Sequence, residues 1–295
     1  MLNALTIDVE DYFQVTAFEK FVKMDDWESY PLRVTDSTLR ILDMLDDFSM
    51  KATFFVLGWV AERRPEVVRE ILRRGHEIAC HGYGHKLIYH IGPERFRDDV
   101  RKAKGILEDI CGERIVGFRA PSYSITKETP WAFDVLIGEG FEYDSSIFPI
   151  MHDIYGVPDA NRFPHEIRTP NGIIKEFPIS TLEIRTFNIR YRMPFSGGGY
   201  LRLLPLWIIK KAIRFLNESE KIPSVLYFHP WEIDPGQPRI KACLRWRFRH
   251  YLNLEKTERK LKGILSSFSF SPMSAVLECL EQGLREKGYP SQELS

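Results

Sequence analysis

The stretch "KATFFVLGWVAERRPEVVREILRRGHEIACHGYGH", residues 51–85, decides the fold. Apolar, β-branched and aromatic residues predict strands at 51–58 and 76–80. The segment between them, 65–75, has helical spacing of its apolar residues; it begins on a proline and ends on a glycine, as helices commonly do. A strand, a helix and a second strand at this spacing are typical of parallel sheets. The second strand leads directly into two histidines four residues apart.

The same alternation runs through the first half of the chain, which favours an α/β parallel sheet or barrel. Further along, the segment 150–172 is rich in Pro, Asn, Asp and Gly and predicts a loop. The remaining predicted strands are 4–10, 115–121, 141–146, 173–184 and 222–232; the remaining helices are 36–48, 93–112, 129–140, 194–218 after its glycine-rich turn, the later part of 242–265, and 271–284.

Repeats and linkers are not apparent, so the sequence predicts one domain over residues 1–283. Within it we expect a long insertion at about 150–200 and a helical C-terminal extension at about 232–283. The last residues, 284–295, are polar and predict a frayed tail.

Composition narrows the class of protein. The chain has 295 residues, 44% of them hydrophobic, which is ordinary for a globular protein. Its formal net charge is zero, which argues against nucleic acid as the main partner. The N-terminal residues show no signal peptide and the sequence has no integral membrane segment, and the four scattered cysteines fit a reduced compartment. A cytoplasmic location is therefore expected.

Polar side chains cluster where predicted strands end, which is where parallel α/β proteins place reactive groups. Two histidines four apart, His81 and His85, converge on one side of a turn, where they are either two nitrogen ligands of a metal ion or ordinary surface histidines. The first strand offers the third ligand, because Asp8 and Glu10 share one face of it and one carboxylate can bind metal while the other stays free. Because Asp11 is a further carboxylate in the same segment, the residues alone do not decide which of these side chains is the third ligand.

The order "TIDVED", "HGYGH", "RAPSYS", "DSS" and "LYFHP", from residue 6 to about 230, resembles the NodB-type polysaccharide deacetylases. The resemblance implies a distorted (β/α) barrel of about seven strands and metal-dependent hydrolysis of N-acetyl groups on the amino sugars of a polysaccharide or oligosaccharide. It implies a divalent metal, with Zn²⁺ first and Co²⁺, Ni²⁺, Mn²⁺ or Fe²⁺ as other candidates. The stretch "PFSGGGYLRLLP" and the basic C-terminal region further resemble deacetylases of bacterial exopolysaccharide loci.

The resemblance also assigns roles. Asp8 is the expected general base, Arg119 braces it, His229 is the general acid, and His81 and His85 bind the metal. The usual motif has two adjacent aspartates followed by glycine, whereas this chain has Asp-Val-Glu-Asp. The expected third ligand is therefore Glu10, with Asp11 second. Asp144 is a candidate either to orient His229 or to cap local structure, and the residues expected near the sugar are Ser122, Tyr123, Tyr200 and Trp231.

Two other functions stay open at this stage. A related barrel could hydrolyse a small cyclic amide, which would require a closed pocket instead of an open cleft. A sugar-binding module without catalysis would tolerate the loss of Asp8 or His229, and both are present.

Overall fold

The computed structural model describes residues 1–186 and 189–286. Its strands are β1 (Leu2–Val9), β2 (Thr53–Val56), β3 (Glu77–Cys80), β4 (Gly117–Phe118), β5 (Tyr143–Asp144), β6 (His165–Thr169), β7 (Gly172–Glu176), β8 (Thr181–Thr186), β9 (Ile189–Pro194), β10 (Val225–Phe228) and β11 (Ser269–Ser271). Its helices are α1 (Val34–Asp47), α2 (Gly58–Arg63), α3 (Pro65–Arg73), α4 (Ile88–Cys111), α5 (Trp131–Gly138), α6 (Gly198–Leu203), α7 (Leu206–Phe215), α8 (Leu244–Tyr251), α9 (Leu254–Leu265) and α10 (Met273–Glu286).

Seven strands lie side by side and parallel in the order β10, β1, β2, β3, β4, β5 and β7. β6 pairs antiparallel with β7, and β11 pairs with β1. Ser180, just beyond β7, joins the two ends of this sheet: its hydroxyl accepts a hydrogen bond of 2.8 Å from the backbone N–H of Val225 in β10, and its carbonyl accepts one from Ser196. The sheet therefore curls into a distorted barrel, and the predicted fold with about seven strands is correct.

The first strand, β1, carries a buried charged residue. Residues 3–9 of β1 are all buried, because neighbouring strands and surrounding helices cover a parallel strand on every side. Charge is rare in such an environment unless it is paired. Asp8 is the charged residue of β1, and it lies at the carboxyl end of the strand.

Several elements differ from the predicted ones. The predicted strand 173–184 divides at Pro178, which has no backbone N–H to continue a ladder. Its first half becomes β7, and its second half becomes β8, which pairs with β9 in a separate two-stranded sheet. The predicted loop 150–172 contains β6. Helix α4 begins five residues before the predicted 93, with a kink at Gly92 (φ 75°).

The predicted polar tail, 284–295, begins inside α10, and from residue 287 onward it lies outside the described residues. In the part of the chain that the structure describes, none of the helices is long and apolar enough to cross a bilayer.

Candidate metal centre and catalytic cleft

The carboxyl ends of β1 and β3 bring four predicted site residues together. Asp8 is the penultimate residue of β1, Glu10 is the first residue after that strand, and His81 is the first residue after β3. The short turn after His81 carries His85 with φ 50°, a left-handed conformation that a non-glycine residue adopts at some cost in strain. This conformation places the two imidazole rings 5.6 Å apart, centroid to centroid.

Glu10, His81 and His85 form a three-residue cluster that fits a divalent cation. All three are buried, and one potential ligand atom of each lies within 4.8 Å of the others. Oε2 of Glu10 lies 2.6 Å from Nε2 of His85, yet no hydrogen bond of acceptable geometry reaches this buried oxygen from the described residues. Two nitrogens and one carboxylate are a donor set typical of catalytic zinc, which keeps a further position for solvent.

Electrostatics around the cluster suits a cation as well. Burial alone raises the pKa of Glu10, but the imidazoles of His85, His229 and His81 outweigh burial and hold the pKa at about 2. Burial lowers the pKa of His81 to about 4, so its ring is neutral near pH 7. Nδ1 of that ring lies 2.8 Å from the carbonyl oxygen of Arg119, which leaves Nε2 for a metal ion.

Asp11, the alternative ligand, is engaged elsewhere. Its Oδ2 accepts hydrogen bonds from the backbone N–H groups of Arg33 (2.7 Å) and Val34 (2.9 Å) at the start of α1. Its Oδ1 accepts a third from the N–H of Tyr12. The carboxylate of Asp11 therefore caps α1, and the geometry favours Glu10 as the acidic member of the cluster.

The predicted base and its brace are in direct contact. Nη1 of Arg119 donates to Oδ1 of Asp8 at 2.7 Å, and both side chains are almost fully buried. Ser145 fixes the other side of the guanidinium, because its carbonyl accepts from Nε and its hydroxyl accepts from Nη2. Burial lowers the pKa of Arg119, but the carboxylate of Asp8 outweighs it and raises that pKa above its usual value.

His229, the predicted acid, follows β10 and faces the same cluster. Its Nε2 lies 3.6 Å from Oε1 of Glu10 and 3.9 Å from Oδ2 of Asp8. Burial lowers the pKa of His229, but Glu232, Glu10 and Asp8 together raise it to about 9. The ring is therefore protonated at neutral pH, the form that a general acid needs.

A buried pair that the sequence did not reveal supports His229. Oε2 of Glu232 lies 3.7 Å from Nδ1 of His229, and Oε1 accepts a hydrogen bond of 3.0 Å from Nε of Arg202. Arg202 is held in turn by the carbonyl oxygens of His250 and Leu252. The motif "HPWE" was the available signal, since the first turn of a short helix brings its fourth residue back to the first.

The contacts of Asp144 favour the second of its two candidate roles, which is to cap local structure. It accepts hydrogen bonds from the backbone N–H and the hydroxyl of Ser146 and lies against Glu176. Burial and the neighbouring carboxyl of Asp144 raise the pKa of Glu176 well above its usual range, so that one carboxyl of the pair stays protonated. Among the described residues, the carboxylate beside Nδ1 of His229 belongs to Glu232, and Asp144 forms no ion pair with this histidine.

The metal cluster, Asp8 and His229 line a cleft of about 370 Å³, and all four residues expected near the sugar line it too. Ser122 and Tyr123 both have left-handed backbones, with φ 50° and 53°, a strain that concentrates at functional sites. Tyr200 is half-buried. Trp231 also stacks against two imidazoles, with ring centroids 5.1 Å from that of His229 and 4.1 Å from that of His250, so that the indole braces His229.

The glycines of "SGGGY" serve the packing of the chain. A Cβ added to Gly197 would lie 2.2 Å from the carbonyl oxygen of Tyr227, so only glycine lets this segment approach β10. Gly198 and Gly199 line the cleft. Cys80, next to His81 in the chain, is a buried free cysteine.

Comparison with known proteins gives two family matches. Residues 23–134 match the polysaccharide deacetylase family, and residues 145–278 match a domain of unknown function (DUF3473). The first region supplies both histidines of the cluster and Arg119. The second supplies His229, Glu232 and Arg202, so the cleft is built from both regions.

Single relatives extend these matches. A peptidoglycan-N-acetylglucosamine deacetylase of Bacillus cereus is 28% identical over 151 residues, which cover 46% of this chain and 52% of the relative. A crystal structure from Mycobacterium smegmatis, assigned to the polysaccharide deacetylases, has 22% identity and a TM-score of 0.57, covering 100% of this chain and 93% of the other. The PuuE allantoinase has 17% identity and a TM-score of 0.58, covering 93% of this chain and 88% of the other.

These structural likenesses concern the fold. The chain spans about half or less of the length of the curated relatives that it matches first.

Proposed function

Because the chain belongs to the polysaccharide deacetylase family, we propose that it hydrolyses N-acetyl groups on the amino sugars of a bacterial polysaccharide. The observation that carries this proposal is the convergence of three groups on one cleft: the cluster of Glu10, His81 and His85, the Asp8–Arg119 pair, and His229. Together they provide a metal site, a base and an acid, which are the groups that amide hydrolysis by water requires.

The metal assigned to the cluster is a divalent cation, with Zn²⁺ first because of the two imidazoles and one carboxylate. When bound, such an ion would supply Lewis acidity for the activation of water and of the acetyl carbonyl. Glu10, His81 and His85 would hold it.

Asp8 and His229 then move the protons. Asp8 accepts the proton of the attacking water, while its Oδ1 stays fixed by Arg119 and its Oδ2 faces His229. Asp8 is oriented by this contact and does not have to serve as a ligand. His229 gives its proton to the amine nitrogen as the C–N bond breaks, which releases acetate and the free amino sugar. Glu232 and Trp231 hold the imidazole in place for this step.

The shape of the site favours a polymer over a small cyclic amide. A second cleft of about 640 Å³ adjoins the catalytic cleft, and the two share Thr16, Ala17, Tyr155 and Trp246 in their walls. Adjacent clefts provide room for neighbouring sugar units, and binding energy from such remote units can promote the chemical step. That the polymer belongs to an exopolysaccharide or a cell wall, and that the protein is cytoplasmic, stay predictions.

Acetate release tests the proposal. Zn²⁺-loaded protein is incubated with N-acetylglucosamine oligomers of increasing length, and acetate and free amines are both quantified. We expect equal amounts of the two products, at rates that rise with oligomer length, and no release by Asp8→Asn. A non-catalytic sugar-binding module would bind the oligomers and release nothing; a cyclic amide hydrolase would open a hydantoin ring and leave the oligomers intact. Either result would overturn the proposal.

A further inference from the structure

One surface stands out against the zero net charge of the chain. Residues 239–249, here called the α8 patch, contain five cationic side chains, and the sequence has no carboxylate between Asp234 and Glu255. The cationic residues are Arg239, Lys241, Arg245, Arg247 and Arg249. Such a local concentration of one sign creates an attractive field for an anionic partner.

Large apolar side chains stand exposed among these cations. Leu244 is 80% exposed and Phe248 is 66% exposed, both on α8. Met151, which is 86% exposed, lies in the loop that α8 touches, since Nη2 of Arg249 lies 3.1 Å from Nε2 of the adjacent His152. Exposed apolar side chains that are grouped in this way mark a surface that binds something.

Much of the charge on this patch is available to a partner. Arg245 is paired with Asp153 at 3.1 Å, but both side chains are more than half exposed, so the pair is weak. Lys241 and Arg247 are exposed, and neither forms an ion pair within the described ranges 1–186 and 189–286.

The chemistry of the patch selects its partner. An anionic glycan would use the arginines and the ring of Phe248, but the aliphatic side chains of Leu244 and Met151 have no aromatic face on which a sugar can stack. A second copy of the chain would set the same cations against each other across a two-fold axis. Cations interleaved with Leu and Phe on a short helix are instead the pattern of segments that lie in a bilayer interface.

We propose that the α8 patch docks on an anionic phospholipid bilayer, with Leu244, Phe248 and Met151 entering the headgroup layer and the arginines contacting lipid phosphates. Phe248 and Arg249 also line the catalytic cleft. Docking therefore places the mouth of the cleft at the lipid surface, where it meets polymer that lies close to a membrane. The docking itself is independent of the proposed hydrolysis and is measured without turnover.

Vesicle flotation tests the proposal directly. The whole chain is mixed with vesicles of phosphatidylcholine alone or of phosphatidylcholine containing phosphatidylglycerol. We expect the protein to float with the anionic vesicles and to stay in the bottom fraction when only neutral vesicles are present. Added salt should release it from the anionic vesicles. Arg247→Glu should lower the partition coefficient by about fivefold or more, because each cation near an anionic surface contributes roughly that factor. Leu244→Ser should lower it as well, by removing apolar insertion.

Matched substitutions elsewhere serve as controls. Arg69→Glu on α3 and Ile173→Ser on β7 also change exposed side chains, and both should float like the unaltered protein. Thermal unfolding of each variant shows that it is folded. The proposal is overturned if the protein does not float with anionic vesicles, or if Leu244→Ser and Arg247→Glu float like the unaltered protein. It is also overturned if the patch binds a soluble polyanion but no vesicle, or if the only effect of Leu244→Ser is to convert a dimer into monomers.

Discussion

Arg119 and Asp8 form the best-defined contact of the site, a hydrogen bond of 2.7 Å from Nη1 to Oδ1 between two buried side chains. The bond occupies one carboxylate oxygen and leaves Oδ2 facing the cleft near His229. The guanidinium holds the carboxylate in one orientation, which a general base at this position needs. Asp8 and Glu10 are only two residues apart, but Asp8 pairs with Arg119 while Glu10 belongs to the metal cluster.

Asp8→Asn should abolish most turnover and leave the metal in place. The amide keeps the size of the side chain but cannot accept the proton, so kcat should fall by about 10²–10⁴-fold. Metal content and acetate release are measured on the same preparation. Loss of the metal together with activity would make Asp8 a ligand, and full activity would remove it from the mechanism.

Glu10→Gln and Asp11→Asn should behave in opposite ways. Glu10→Gln should weaken metal binding, because a neutral amide replaces the carboxylate beside His85. Asp11→Asn should keep the metal and lower the free energy of unfolding by about 1 kcal/mol, since it weakens the cap of α1. Metal titration and urea unfolding read out the two effects. If Asp11→Asn weakened metal binding and Glu10→Gln did not, the acidic ligand would be Asp11.

Glu232→Gln should shift the pH dependence of activity. The acid works while His229 is protonated, so activity falls as pH rises through the pKa of His229, and Glu232 is one of the groups that raise this pKa to about 9. Removing the charge lowers that pKa, and the alkaline limb of the kcat profile should move to lower pH. Glu77→Gln, which changes a half-buried carboxylate at the amino end of β3, is the matched control. An alkaline limb that stays in place would mean that Glu232 only supports the fold.

Gly197→Ala should destabilise the barrel without touching the catalytic groups. The added methyl group would lie 2.2 Å from the carbonyl oxygen of Tyr227, so backbone must move. Overpacking of this kind costs about 1–3 kcal/mol, which urea unfolding resolves. Gly199→Ala, where nothing lies within 4 Å of the new atom, is the control. Equal stability of the two variants would contradict the close approach of this segment to β10.

Local signals predicted a parallel sheet or barrel and the groups that come from strand ends, and the family resemblance narrowed the fold to a distorted barrel. Apolar runs predict buried parallel strands, and a polar residue that follows such a run lies at the carboxyl edge. Asp8, Glu10, His81 and His85 were found in this way, and the structure brings them together around one cleft. The resemblance to a known family added the roles of Arg119 and His229, which remain proposals.

The groups that the sequence missed depend on contacts across long stretches of chain. Arg202 reaches Glu232 from α6, and the ring of His250 covers Trp231 from α8. Neither pairing leaves a periodic pattern. Asp144 was ambiguous for the same reason, because its partner Glu176 is distant in sequence and only the folded sheet sets the two carboxyl groups together. The division of the predicted strand 173–184 had a readable cause in Pro178, whose missing N–H ends the ladder.

The most direct test of the account is an anomalous-scattering map from crystals grown with Zn²⁺. We predict one strong peak within bonding distance of a carboxylate oxygen of Glu10 and of Nε2 of both His81 and His85, and no such peak for His81→Ala, while His90→Ala retains it. A peak bound by Asp8 or Asp11 in place of Glu10, or no ion at these histidines at saturating Zn²⁺, would contradict the account.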